Sequence, residues 1–150
     1  MKKHSICTFS LCFLLLCMIF FALIGCEKNE VSYELLHDKS EISNIYLVPV
    51  DSIDAENVTC DLDNSIEITN VDEFVSELNK LTFYRHMFGD PESDYSDTAV
   101  YILYSNGDRE FIHHQVQNCI KNGEIICRRL ICWKASFDNF LRICNEISEK

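Results

Sequence analysis

The chain carries nine cysteines and five histidines, and the spacing of these side chains decides which chemistry is open to them. Cys60, Cys119, Cys127, Cys132 and Cys144 lie in the polar part of the chain, and no two of them form C-x-x-C. A thioredoxin-like motif and a zinc ribbon are therefore not supported. Five is odd, so at least one thiol is left over if all pairing is internal. Two readings stay open: small buried apolar side chains, or one disulfide among the five. His113 and His114 are adjacent in a strand-like run, which aims them at opposite faces and away from a shared metal. His37 and His86 have no partner at ligand spacing. Asp90, Glu92, Asp94 and Asp97 form an acidic loop with hard oxygen donors. As a calcium loop it fails, because position six is Tyr95 and position twelve is Tyr101. Asp61, Asp63 and Ser65 fail likewise, with Ile66 at position six. No nucleophile elbow, Walker loop, dinucleotide fingerprint or H-E-x-x-H is present, and Asn57-Val58-Thr59 is a formal glycosylation sequon. These patterns call for no catalytic residue, no metal ligand and no cofactor.

Cys26 is different, because its neighbours give it a chemistry. Met1-Lys2-Lys3-His4 is short and basic, and Ile6 to Gly25 carries no charge and is rich in Leu, Phe, Ile, Met and Cys. A basic start followed by an apolar stretch is the layout of an export signal. The stretch ends Leu23-Ile24-Gly25-Cys26, which resembles the bacterial lipobox. The resemblance implies that the Cys26 thiol forms a thioether to diacylglycerol and that a signal peptidase cuts between Gly25 and Cys26. A small residue before the cut, here Gly25, leaves the backbone reachable beside a bulky lipid. Two acyl chains on one residue give stable anchoring where one does not. The alternative is an uncleaved membrane helix, since twenty apolar residues can span a bilayer. Either way the remainder is expected outside the cytoplasm, anchored to the cell membrane. Losing residues 1–25 removes Lys2 and Lys3 and no acid, which takes the formal charge from −11 to −13. Such a domain is expected to avoid nucleic acid and anionic headgroups.

The elements that position the remaining residues follow from period and punctuation. Residues 26–40 read as a polar tether and 41–150 as one exported domain. Ile42 to Val50 is a strand closed by Pro49, residues 51–57 a loop, and Val58 to Ile68 a broken strand with Ile66 and Ile68 on one face. Asn70, with Glu73 as its capping-box partner, opens a helix bearing Val71, Phe74, Val75, Leu78 and Leu81. Thr82 to Phe88 returns as a strand, and Gly89 to Asp97 is a loop. Asn106-Gly107 and Asn122-Gly123 each join two β-type runs, a hairpin signal because both residues tolerate positive φ. The runs are Ala99–Tyr104 with Arg109–His114, and residues 116–120 with 124–133. Ser136 caps a helix carrying Phe137, Phe140, Leu141, Cys144 and Ile147 on one face. The fold class expected is α+β: an antiparallel sheet, a meander with N-G hairpins, packed with two helices after an N-terminal signal or anchor helix. Tyr101 and Leu103 share one face, and Val100, Ile102 and Tyr104 the other, so both sheet faces need cover, from the chain itself or from a partner.

The stretch Phe88-Gly89-Asp90-Pro91, followed by Tyr101 through Asn106-Gly107 to Glu110, resembles small uncharacterised lipoproteins of Gram-positive gut bacteria. In these a lipobox precedes a domain with an F-G-D-P loop and an N-G hairpin. The resemblance implies the location and the fold class and carries no activity. The expectation is a lipid-anchored, non-enzymatic domain with a protein or envelope-polymer partner. The alternatives are a metal-dependent surface hydrolase using residues 90–97, and a structural envelope module.

Overall fold

A computed structural model describes residues 30–54, 56–85 and 96–149. The expected signal helix therefore lies outside the described residues. The architecture is α+β, with two helices and a mostly antiparallel sheet. Strand β1 is Glu30–Val31, β2 Ile42–Pro49, β3 Ile53–Asp54, β4 Thr59–Cys60 and β5 Ile66–Glu67. Helix α1 is Val71–Leu78 and strand β6 is Phe83–Tyr84. Strands β7 (Thr98–Tyr104), β8 (Arg109–Ile112), β9 (Gln117–Lys121) and β10 (Glu124–Arg128) precede helix α2 (Lys134–Ser148).

The main sheet runs β10-β9-β8-β7-β2-β5, every pair antiparallel. Its last four strands in sequence form the expected meander. The two N-G turns reach it differently. Asn122 and Gly123 sit at φ 53° and 83°, a two-residue turn whose twist matches that of the strands. In the first hairpin only Gly107 takes positive φ, at 88°. The Gly107 amide donates to Tyr104 O at 2.9 Å and the Tyr104 amide to Asp108 O at 3.0 Å. That is a three-residue loop with a glycine bulge, so Asn106 is not left-handed as the dipeptide alone predicts.

Alternation sorts the sheet into two apolar clusters. Val100, Ile102 and Tyr104 face α1 and α2, together with Ile45, Leu47, Ile112 and Cys119. Helix α2 contributes Phe137, Phe140, Leu141, Cys144 and Ile147, the stripe read from its spacing. Phe74 of α1 meets Phe140 of α2 with ring centroids 5.7 Å apart. On the opposite face Tyr101 stacks on Phe111 at 4.5 Å, and the segment 50–60 folds over them. The chain thus supplies cover on that face too. Val58 is fully buried there at φ 50°, a backbone region that β-branched residues rarely enter.

Several boundaries move. The tether expected over residues 26–40 is shorter: β1 pairs with β6, and Tyr33 and Leu36 are buried in the main core. The loop expected over 51–57 contains β3. The strand expected over 124–133 stops at Arg128, because Leu130 is captured by the Gln117 side chain and Ile131 by Tyr84. Helix α2 starts at Lys134, with Trp133 at its N-cap, so Ser136 lies inside the first turn. Ile66 is exposed while Ile68 is buried, since the edge strand ends at Glu67. The Asn70 cap is as expected: its Oδ1 accepts the Glu73 amide at 3.1 Å. No helix among the described residues is long and apolar enough to cross a membrane.

Candidate functional site

Glu110 is the most unusual side chain of the core. It is fully buried, on the same face of the sheet as Ile102 and Cys119. Tyr33 donates to its Oε1 at 2.5 Å, while Tyr104 at 2.7 Å and the Leu36 amide at 3.2 Å donate to its Oε2. The Arg128 guanidinium stands 3.8 Å away. Burial, then the nearby Glu110 charge, raises the hydroxyl pKa of both tyrosines. Burying such a carboxyl group without these donors would be costly, and with them it ties the 33–36 segment to the sheet.

Asp108 does similar work at the hairpin ends. Its Oδ1 accepts the Asn122 amide at 2.9 Å, and its Oδ2 lies 2.7 Å from His37 Nε2. Burial pushes its carboxyl upward, but the His37, Asn122 and Asn106 hydrogen bonds outweigh this and leave it below the usual range.

His113 and His114 do not take opposite faces. Strand β8 ends at Ile112, so the alternation stops before them. Both rings are buried with centroids 4.2 Å apart, and both pack on Phe137. His113 Nε2 lies 3.2 Å from the Ser96 carbonyl and 3.2 Å from His114 Nδ1. A carbonyl only accepts, so this geometry puts the proton on His113 Nε2 and a lone pair on His114 Nδ1. Burial lowers the pKa of both rings; for His114 burial, reinforced by its neighbour His113, brings it down to about 4. Ser96 Oγ donates to Asp138 at 2.6 Å, and Lys134 reaches the other carboxylate oxygen at 2.8 Å. Serine, histidine and aspartate therefore meet here, but the serine hydroxyl is directed to the aspartate. The His113 ring also borders an apolar pocket of about 300 Å³ beside Phe111, Val50 and Ile53.

The five cysteines among the described residues are all free thiols. Cys119, Cys132 and Cys144 are buried, as the apolar reading expects. Burial pushes the Cys132 thiol up to about 11 and that of Cys144 up to about 12, which keeps both protonated and unreactive. Cys127 is exposed on β10, against the buried reading. Cys26 and Gly25 lie outside the described residues, as do His86, Asp90, Glu92 and Asp94. Asp97 is described: its carbonyl accepts the Val50 amide at 2.9 Å. Among the described residues no group of three His, Cys, Asp or Glu side chains is placed to hold a metal ion.

Comparison with family models, curated proteins and solved structures finds no match.

Two surface features remain. Strand β10 closes one edge of the sheet, and Glu124 to Cys127 are all exposed, with Ile125 at 55% and Ile126 at 37%. Beside β1 lies an open groove of about 700 Å³ lined by Ser32, Glu34, Arg85, Arg128 and Arg129. The sequence held no signal for this groove. The Tyr84–Ile131 bridge brings Arg85 to Arg128 and Arg129 across 43 residues of chain.

Proposed function

We propose that the chain is a bacterial lipoprotein, anchored through Cys26 to the outer side of the cell membrane, whose domain binds a protein partner without catalysing a reaction. The anchor is supported by the basic start, the uncharged stretch and Leu23-Ile24-Gly25-Cys26. The binding role is carried by one observation, the outer edge of β10, which no other strand pairs among the described residues. An edge strand presents a row of unpaired N–H and C=O groups, and natural sheets blunt such edges with charge or proline. Between Glu124 and Arg128 this edge exposes Ile125 and Ile126 in a five-residue strand. An extended peptide adding to it gains main-chain hydrogen bonds, with the isoleucines as side-chain anchors.

The test is site-specific photo-crosslinking on intact cells. A photoreactive residue at Ile125 is expected to capture a discrete partner, and one at Glu77 on α1 is not. Ile126→Lys should remove the adduct at unchanged protein level. Identical capture from both positions, or none from either, would count against the edge as a binding surface.

A further inference from the structure

The arginine groove stands out against the charge of the domain around it. The chain has five arginines, and three of them, Arg85, Arg128 and Arg129, line this one groove. Arg128 is committed: its Nη1 donates to the Glu34 carbonyl at 2.6 Å, and it faces Glu110. Arg85 and Arg129 have no ion pair or hydrogen bond among the described residues. Among the described residues Glu34 is the single acidic side chain on the lining. Two uncommitted guanidiniums beside a third make a site for an oxyanion, because the planar fork matches phosphate oxygens two at a time.

The position of the groove indicates which phosphate. Its lining includes Val31 of β1, and β1 begins at Glu30, four residues after Cys26. Four residues reach at most about 14 Å even when fully extended. A lipid on Cys26 therefore holds the groove close to a bilayer surface. Trp133 stands at the same end of the domain, half-exposed, with its ring 6.5 Å from that of Tyr84, the residue before Arg85. Tryptophan and tyrosine favour the headgroup level of membranes. The distant carboxylates that give the domain its negative charge are screened beyond about 8 Å at physiological salt, so a local cationic groove held at the surface is not overruled by them.

We propose that this groove seats the phosphate of an anionic phospholipid headgroup in the membrane that carries the anchor, with Arg85 and Arg129 as its ligands, and so fixes which face of the domain lies on the bilayer. The proposal rests on the lipid-anchored reading above. Of β10 only its last residue, Arg128, lines the groove, so Glu124 to Cys127 stay available to the partner.

The sequence supplies its own reporter, because Trp133 is the one tryptophan of the chain. The mature protein, extracted in detergent, is reconstituted into vesicles of phosphatidylcholine with or without phosphatidylglycerol. Trp133 emission is then read with brominated lipid as quencher. Quenching is expected to rise about twofold with phosphatidylglycerol and to fall back in high salt. Arg85→Gln combined with Arg129→Gln should abolish the rise without changing the melting temperature, since neither side chain has a hydrogen bond or ion pair among the described residues. Equal quenching in both vesicles, or a rise that survives the double substitution, would overturn the proposal. Inorganic phosphate serves as the soluble competitor: if millimolar phosphate removes the rise, the groove is a free-phosphate site and the headgroup assignment fails. Flotation on phosphatidylcholine vesicles reports the anchor separately. A protein that does not float refutes the anchored reading, whereas one that floats without a phosphatidylglycerol response refutes the groove alone.

Discussion

Glu110 shows what a single residue can hold together. Its carboxyl oxygens take the Tyr33 hydroxyl, the Tyr104 hydroxyl and the Leu36 amide, partners as far as 77 positions away in sequence. Glu110→Ala strands three buried donors, at about 1–3 kcal/mol each, so a loss of at least about 3 kcal/mol is expected in urea unfolding. A loss below about 1 kcal/mol would mean that water replaces the carboxyl group. His114 makes a pH prediction. Its folded pKa of about 4 lies below the unfolded value of about 6.5, so the unfolded state gains the proton first. Stability is unaffected above about pH 6.5 and falls as pH drops from there toward 4, by about 3 kcal/mol for this ring at 1.36 kcal/mol per pKa unit. His113 shifts the same way. Melting temperature is expected to decline between pH 7 and 5, and His114→Phe should flatten that decline. A wild-type profile that is flat to pH 5 would contradict the buried neutral pair.

Among the elements, the β9–β10 turn is the simplest to perturb. A Cβ on Gly123 meets nothing within 4 Å, so Gly123→Ala costs only the left-handed backbone, about 1–2 kcal/mol. An unchanged urea midpoint would show that the turn relaxes. The elements most legible in the sequence were those with strong periodicity. The stripe Phe137, Phe140, Leu141, Cys144 and Ile147 and the Asn122-Gly123 turn follow from local rules and lie where those rules put them, while the Asn106-Gly107 hairpin is in place with only Gly107 left-handed. What was not legible depended on tertiary capture. Tyr33 and Leu36 sit in a segment polar enough on average to read as a tether, and only the Glu110 pocket makes them core residues. The start of α2 lies three residues before the one expected, its cap at Trp133 in place of Ser136, because the chain is already held at Cys132, whose amide donates to His114 O at 2.7 Å. His113 and His114 escaped the alternation rule because the strand ends one residue before them.

At the scale of the molecule, the proposed roles fall on different parts of the surface. One end presents β1, Arg85, Arg128, Arg129 and Trp133, and the edge strand β10 presents apolar side chains and a backbone edge that no other strand pairs among the described residues. The two sheet faces are already covered by the helices and by segment 50–60, which leaves the β10 edge and the groove for the proposed contacts. The arginine groove was hidden in the sequence by the chain's net charge of −11, which conceals a local cluster assembled from two distant segments. The anchored reading underlies the proposed orientation, and the mass of the protein extracted from membranes tests it most directly. The wild-type chain is expected to begin at Cys26 and carry diacylglycerol, and the Cys26→Ala chain to keep residues 1–25 and carry no lipid. An identical mature mass for both proteins, without lipid, would contradict the anchored reading.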